Sequence, residues 1–305
     1  MMFRSYLMTK QNPDIRFPVK YLRDIPLIQA PPRLSVLEAV AFKQTFQQLC
    51  QENPLPSQII VDFGQTTFMD SSGLGALVTN LKMAQQKRIK LILRNVRPQV
   101  MAVLSLTGLH NTFEMEQDSE SIIPKLPHHN HSHLPTTHPS VRSRLKRAID
   151  VVGSLVGLVI TGILFIPIAL AVKLDSPGPI FFGQVRCGWM GRRFKIWKFR
   201  SMCLNAEALK STVENQITGA LFKNDRDPRV TKVGSFLRRT SLDELPQFWN
   251  VLKGEMSLVG TRPPTPDEVE IYEVPEWQRL DVKPGMTGEW QVSGRSHLRS
   301  FEDVI

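Results

Sequence analysis

Cysteine is scarce in this chain: Cys50, Cys187 and Cys203 are the three among 305 residues, far apart and outside any C-x-x-C spacing. An odd, scattered set argues against a disulfide framework or a zinc site and fits a reducing, cytosolic setting. The first residues, MMFRSYLMTKQNPDIRF, lack the continuous apolar stretch of a secretory signal. No helix-turn-helix, zinc-finger or RNA-recognition pattern is present, and the basic residues are not gathered in one block, so nucleic acid is not an expected partner. The net charge of +10 points instead to phosphates or an acidic membrane surface. What is present is a 42% hydrophobic chain, long enough for two domains with packed cores.

Residues 20–120 read as a small α/β domain. Leu34–Gln51 has apolar residues at helical spacing, Gln58–Phe63 is a short buried strand, and a helix is predicted from about Ser72 with Leu74, Leu77, Val78 and Leu81 on one face. A second strand, IKLILRNV, and a helix over about Pro98–Leu106 follow. Strands alternating with helices predict a small sheet with helices packed on it. Asp70, Ser71, Ser72 and Gly73 fall at a strand–helix junction, where Asp and Ser are ordinary N-caps. Residues 121–141, rich in Pro, Ser, Thr and His, read as a solvated linker rather than a metal site, despite His128, His129, His131, His133 and His138.

Residues 142–305 begin with a membrane candidate. Val151–Val172 contains 22 residues without a charge. A straight helix of that length is roughly 33 Å long, enough to cross a bilayer. Pro167 lies inside it and is expected to kink or break it. Basic residues flank both ends, Arg142, Arg144, Lys146 and Arg147 before and Lys173 and Arg186 after, which favours both ends on the cytoplasmic side. The expectation is a helix that enters one leaflet, bends at Pro167 and returns; the alternative is a full span. Beyond it, PIFFGQVR and FKIWKFRSM read as strands, with Lys198 and Arg200 two apart and hence on one face.

The most informative stretch is Arg238–Pro264, RRTSLDELPQFWNVLKGEMSLVGTRPP. Its cations, the adjacent Asp243 and Glu244 and an arginine in a rigid turn are the groups needed to handle a diphosphate with a divalent metal. A second reading stays open: Ser241 and Glu244 match a capping box, in which case the acids only start a helix. Pro246 fits better if that helix starts at about Asp243.

This stretch closely resembles the signature of the bacterial sugar transferases, the monotopic polyprenyl-phosphate phosphoglycosyl transferases. The likeness extends from about Arg142 to the end and includes FKIWKFRSM and the loop VKPGMTGEWQVSGRS, Val282–Ser296. It implies a re-entrant membrane helix and an α/β, helix-rich catalytic domain on the cytoplasmic face of the inner membrane. It further implies transfer of a sugar-1-phosphate from a UDP-sugar to polyprenyl (undecaprenyl) phosphate with release of UMP, at the start of polysaccharide synthesis. In that reading Asp243 is the nucleophile, Glu244 and Arg238 complete the catalytic group, and Asp243 and Glu244 hold Mg²⁺. Lys198, Arg200, Arg262, Pro263, Gln291 and Arg295 line the substrate site. Residues 25–120, through VDFGQTTFMDSSGLGALV and SLTGLHNTFEM, resemble STAS domains of the anti-sigma-factor antagonist type. That likeness implies a regulatory domain with a partner kinase and Ser71 as the phosphorylated position.

Two features depart from the transferase pattern. Thr261 stands where a Pro-Arg-Pro turn has its first proline, and the sequence stops at Ile305 where the resemblance implies further helical sequence after the Gly-Arg loop, so that either the chain is shortened or its end differs. A competing reading is therefore a membrane-tethered partner-switch scaffold with a degenerate transferase half.

Overall fold

Ile59, Ile60 and Val61 are the centre of the N-terminal unit, and the strand they form sets its architecture. The structure, a computed structural model, describes residues 17–116, 137–209 and 227–289, with the single positions 213, 215 and 224. The chain falls into two units, Met1–Pro135 with Glu273–Gln278, and Thr136–Tyr272 with Arg279–Ile305.

In the first unit, β1 (Val19–Leu22), β2 (Ile25–Gln29), β4 (Gln58–Asp62), β6 (Lys90–Arg94) and β7 (Glu114–Glu116) form one sheet in the order β1-β2-β4-β6-β7. Only β1 runs antiparallel to its neighbour. A two-residue pair, β3 (Arg33–Leu34) with β5 (Phe68–Met69), lies outside that sheet. The expected strands and helices are found. The short β1, β2, β3, β5 and β7 were not expected, since none of them carries the run of three consecutive buried aliphatic residues, Ile59–Val61 and Leu91–Leu93, that marks β4 and β6. Helix α1 (Val36–Leu49) opens on a Ser35–Glu38 capping box and buries Ala39, Phe42, Phe46 and Leu49. Helix α2 (Ser71–Lys87) starts at Asp70, whose carboxylate accepts from the Gly73 N–H at 2.9 Å, and helix α3 (Pro98–Thr107) starts with proline at its first position.

The second unit begins with α4 (Pro139–Arg142) and the helix α5 (Arg144–Asp175), 32 residues long. Pro167 lies inside α5 without ending it, so of the expected kink or break the break is ruled out. Loss of one N–H and a ring clash cost about 3 kcal/mol. Packing offsets this: Leu164 and Phe165 before the proline, and Ile168 and Val172 after it, lie in one cluster with Phe199 and Leu237. The buried side of α5 is a stripe, Asp150, Ser154, Gly157, Ile168, Ala169 and Val172, at helical spacing along its length. Both ends are fastened to the same unit. Arg147 donates to the carbonyls of Val251 (2.8 Å) and Leu252 (2.6 Å), and the Asp175 carboxylate accepts from the Val233 N–H (3.0 Å). The opposite side exposes Val152, Val159, Ile163, Ile166, Leu170 and Leu174, and the helix is long and apolar enough to cross a membrane.

Next, β8 (Phe181–Cys187) and β9 (Arg193–Phe199), the two strands expected here, pair antiparallel over their whole length. Helix α6 (Lys232–Arg239) leads to a 3-10 turn, Leu242–Glu244, and then to α7 (Gln247–Lys253). Strand β10 (Ser257–Val259) runs parallel to β11 (Gly285–Thr287), with α8 (Pro266–Glu270) between them in sequence.

Candidate active site

The Asp-Glu pair does not start a helix through a capping box. Ser241 has φ 57°, in the left-handed region, and its side chain makes no cap bond. Asp243 and Glu244 lie in the 3-10 turn, and Pro246 takes the N-cap position of α7, where its missing N–H costs nothing. This refines the expected helix start at about Asp243. The turn rests on β9 and α6, with Leu242 and Leu245 in the cluster around Phe199 and Leu237. Apolar residues on both sides of the acids thus fix the backbone that carries them. Asp243 is 5% exposed. Glu244 accepts from Lys198 Nζ at 2.9 Å, an ion pair across from β9.

Asp243, Glu244 and Lys198 are therefore drawn together, while Arg238 lies exposed near the end of α6, five residues before Asp243. Arg200 is placed differently from the expectation. Strand β9 ends at Phe199, so Arg200 does not share a strand face with Lys198. Its guanidinium is buried and donates to the carbonyls of Pro177 (2.8 Å), Ser176 (2.6 Å) and Val172 (3.3 Å) and to Ser176 Oγ (3.0 Å). These acceptors lie at and just beyond the C-terminal end of α5, where a cation is favoured. Gly178, at φ +123°, makes this possible: a Cβ there would stand 2.0 Å from Arg200 Nη1.

Arg262 sits in a second cluster. Its two Nη atoms donate to the two oxygens of Glu268 at 2.9 and 3.0 Å, a bidentate fork. Glu268 is itself held by the Thr265 N–H at 2.8 Å in a capping box that starts α8. Burial by itself would raise the Glu268 carboxyl; the charge and hydrogen bonds of Arg262 and the Thr265 N–H outweigh it and hold the group below its ordinary value. Arg186 donates to the Pro263 carbonyl at 3.0 Å, and burial together with the Arg262 charge pushes its guanidinium down to about 10. The lost first proline is compensated by bonds from elsewhere. Thr261 Oγ1 donates to the Arg279 carbonyl (3.0 Å), the Gly285 N–H to the Thr261 carbonyl (2.8 Å) and the Cys187 N–H to the Pro264 carbonyl (2.8 Å). Gln291 and Arg295 lie outside the described residues.

Sequence reading missed Glu268, Arg186 and Asp150. The first had a signal, the T-x-x-E spacing Thr265–Glu268 after the arginine turn. Asp150 had a weaker one, an acid immediately before the uncharged run Val151–Val172.

Among the described residues no group of three or more His, Cys, Asp or Glu is placed to hold a metal ion. Asp243 and Glu244 supply two adjacent carboxylates, a donor set that fits Mg²⁺, which is held by one or two carboxylates together with substrate phosphates. It does not fit a cation that needs an all-protein cage.

Comparison with known proteins bears on this geometry. The model of the bacterial sugar transferase family matches residues 141–305, more than half of the chain. The chain belongs to this family. The STAS domain model matches residues 19–122, the first unit's sheet and helices. Among curated relatives, "Galactosyl transferase CpsE" of Streptococcus agalactiae is 51% identical over 52% of this chain and 36% of its own length. "Undecaprenyl-phosphate galactose phosphotransferase" of Salmonella typhimurium is 48% identical over 50% of this chain and 33% of its own. "Exopolysaccharide production protein ExoY" of Rhizobium meliloti is 41% identical over 50% of this chain and 70% of its own. The chain thus spans about a third of the length of the first two. The family match covers the half of the chain that contains the acidic turn, the Lys198–Glu244 pair and the Arg262–Glu268 fork.

Proposed function

We propose that the chain transfers a sugar-1-phosphate from a UDP-sugar to undecaprenyl phosphate or a similar polyprenyl phosphate, releasing UMP. The observation that carries this is Asp243: a carboxylate 5% exposed, in a turn fixed from both sides, next to a Glu244 held by Lys198. A carboxylate so placed is a nucleophile with little freedom to miss its target. In the first step an Asp243 oxygen bonds to the phosphorus bearing the sugar, the diphosphate P–O bond breaks, and its electron pair leaves with UMP. In the second, an oxygen of the polyprenyl phosphate bonds to that phosphorus and the aspartyl P–O bond breaks, restoring Asp243. Mg²⁺ held through Asp243 and Glu244 would offset the diphosphate charge. Lys198 neutralises Glu244 before substrate arrives, so the two acids do not repel one another at full strength. Arg238, exposed at the end of α6, is a cation for phosphate oxygens, and Gln291 and Arg295 belong to the sequence loop assigned to the donor. Arg262, engaged bidentately by Glu268, rigidifies the turn that precedes α8 and contacts phosphate only by exchanging that partner.

The site works on the cytoplasmic face of a membrane, with α5 as the anchor. Fastening of both ends of α5 to one unit supports a monotopic arrangement, since a full span would carry one end away. The STAS unit is regulatory, with Ser71, the first residue of α2, as the position a partner kinase modifies. Membrane fractions carrying the chain, supplied with undecaprenyl phosphate and a panel of UDP-sugars, are expected to release UMP with at least one donor. Absence of UMP from every donor, with the protein intact in the membrane, would leave the scaffold reading. Pull-downs with wild type, Ser71→Ala and Ser71→Asp test the regulatory half; identical partner sets for all three would reject a phosphoswitch.

A further inference from the structure

Helix α2 has a gap on the face that starts with Ser71. Gly75 lies one turn after Ser71, and residues four apart stand one above the other on a helix. The place of the missing side chain is taken by Trp277: a Cβ at Gly75 would stand 2.5 Å from the indole ring. Trp277 belongs to Glu273–Gln278, the short stretch grouped with Met1–Pro135 in the first unit, and it is 7% exposed. Lys43 of α1 meets Glu273 of the same stretch at 2.5 Å. That ion pair is open to water, with the Glu273 side chain 70% exposed, and adds little. The indole carries the attachment, since burying one removes a large apolar area from water. Ser71 and Ser72 are both fully buried, a condition in which no enzyme reaches a hydroxyl.

We propose that Glu273–Gln278 is an internal peptide ligand of the Ser71 face of α2, latched by Trp277 in the notch at Gly75. A modifying enzyme or binding partner reaches Ser71 only once the latch has opened. The consequence for regulation rests on the reading of Ser71 as the modified position; the latch itself does not. A glycine at 75 is then a requirement of the ligand and not of the helix, where glycine costs about 1 kcal/mol relative to alanine.

The test uses the full-length chain in detergent, with Cys50, Cys187 and Cys203 replaced by serine and Ser71→Cys introduced as a probe. Maleimide is expected to label position 71 slowly in this background and at least about tenfold faster when Trp277→Ala is added. Gly75→Leu, which occupies the notch from the other side, is expected to give the same acceleration. Hydrogen exchange of β4 and β6 reports whether the sheet is still folded in each variant; if Gly75→Leu loses it, Trp277→Ala decides alone. Equal labelling with and without Trp277, in folded protein, overturns the latch. Hydrogen exchange of the stretch 273–280 in Ser71→Asp separates the two ideas. If it stays at the wild-type rate while Trp277→Ala exposes position 71, the latch stands and the phosphoswitch reading fails.

Discussion

Asp150 joins the long apolar helix α5 to the strand that leads into the arginine turn, and its removal is the sharpest test of that arrangement. The residue is 4% exposed, and one of its oxygens accepts from both Ser257 Oγ (2.9 Å) and the Leu258 N–H (3.0 Å). Lys146 Nζ in turn donates to Ser257 Oγ (2.5 Å) and the Val259 carbonyl (3.1 Å). Asp150→Ala deletes two hydrogen bonds to a charged group, each contributing roughly 1.5–3 kcal/mol, and leaves buried donors without an acceptor. The expected loss is about 3–5 kcal/mol, the range for breaking a buried charged contact. At about 2–4 °C per kcal/mol for a unit of this size, the melting temperature should fall by roughly 6–20 °C. Asp150→Asn keeps an acceptor in the same place and loses only the charge, so its loss should stay below about 1.5 kcal/mol. The assay is thermal unfolding of the detergent-solubilised full chain, followed by tryptophan fluorescence, with UMP release measured in parallel. Because β10 continues directly into Gly260–Pro264, the Ala variant should also lose activity at temperatures where it is still folded. A melting temperature within about 2 °C of wild type for Asp150→Ala would refute the reasoning, because it would mean these bonds contribute no more than a surface contact.

Asp243→Asn keeps the size of the side chain and is expected to lower UMP release by orders of magnitude in protein that still folds and reaches the membrane; near-normal turnover would reject the covalent route. Glu268 is held below its ordinary value of 4.5, so it contributes stability above that pH, and the contribution is lost as pH falls through the folded value. Glu268→Gln should therefore be less stable than wild type at pH 7, with the difference shrinking on acidification below about pH 4.5 as wild-type Glu268 protonates; a constant difference from pH 7 to pH 3 would show that the charge is irrelevant. Single cysteines at Ser143 and Ser176, in a chain without native cysteines, should both be labelled from the cytoplasmic side of sealed vesicles, and labelling of one from the outside would establish a full span.

Much of the fold was legible because apolar periodicity is a local property. The runs Ile59–Val61 and Leu91–Leu93, the alternation in FKIWKF and the uncharged stretch of α5 each report burial within a few residues. The acidic pair, its neighbouring arginines and the Gly-Thr-Arg-Pro-Pro turn were legible as chemistry, because residue type alone names the groups that handle phosphate. Sequence alone could not assign partners to those groups. Lys198 and Arg200 are two residues apart and chemically alike. Yet one ends on Glu244 and the other on the carbonyls closing α5, because the strand stops between them at Phe199. Pro167 reads as a break and is not one, because the cost of a proline is a local term and the packing of Ile168 and Val172 that offsets it is not. Arg262 reads as a phosphate ligand, and only the folded chain brings Glu268 into its fork. Thus the sequence by itself determined the longer, strongly periodic elements and which chemical groups are present, while the short strands β1, β2, β3, β5 and β7 were not legible in it. The tertiary structure decided which charges neutralise one another, since that depends on distances the linear order does not contain.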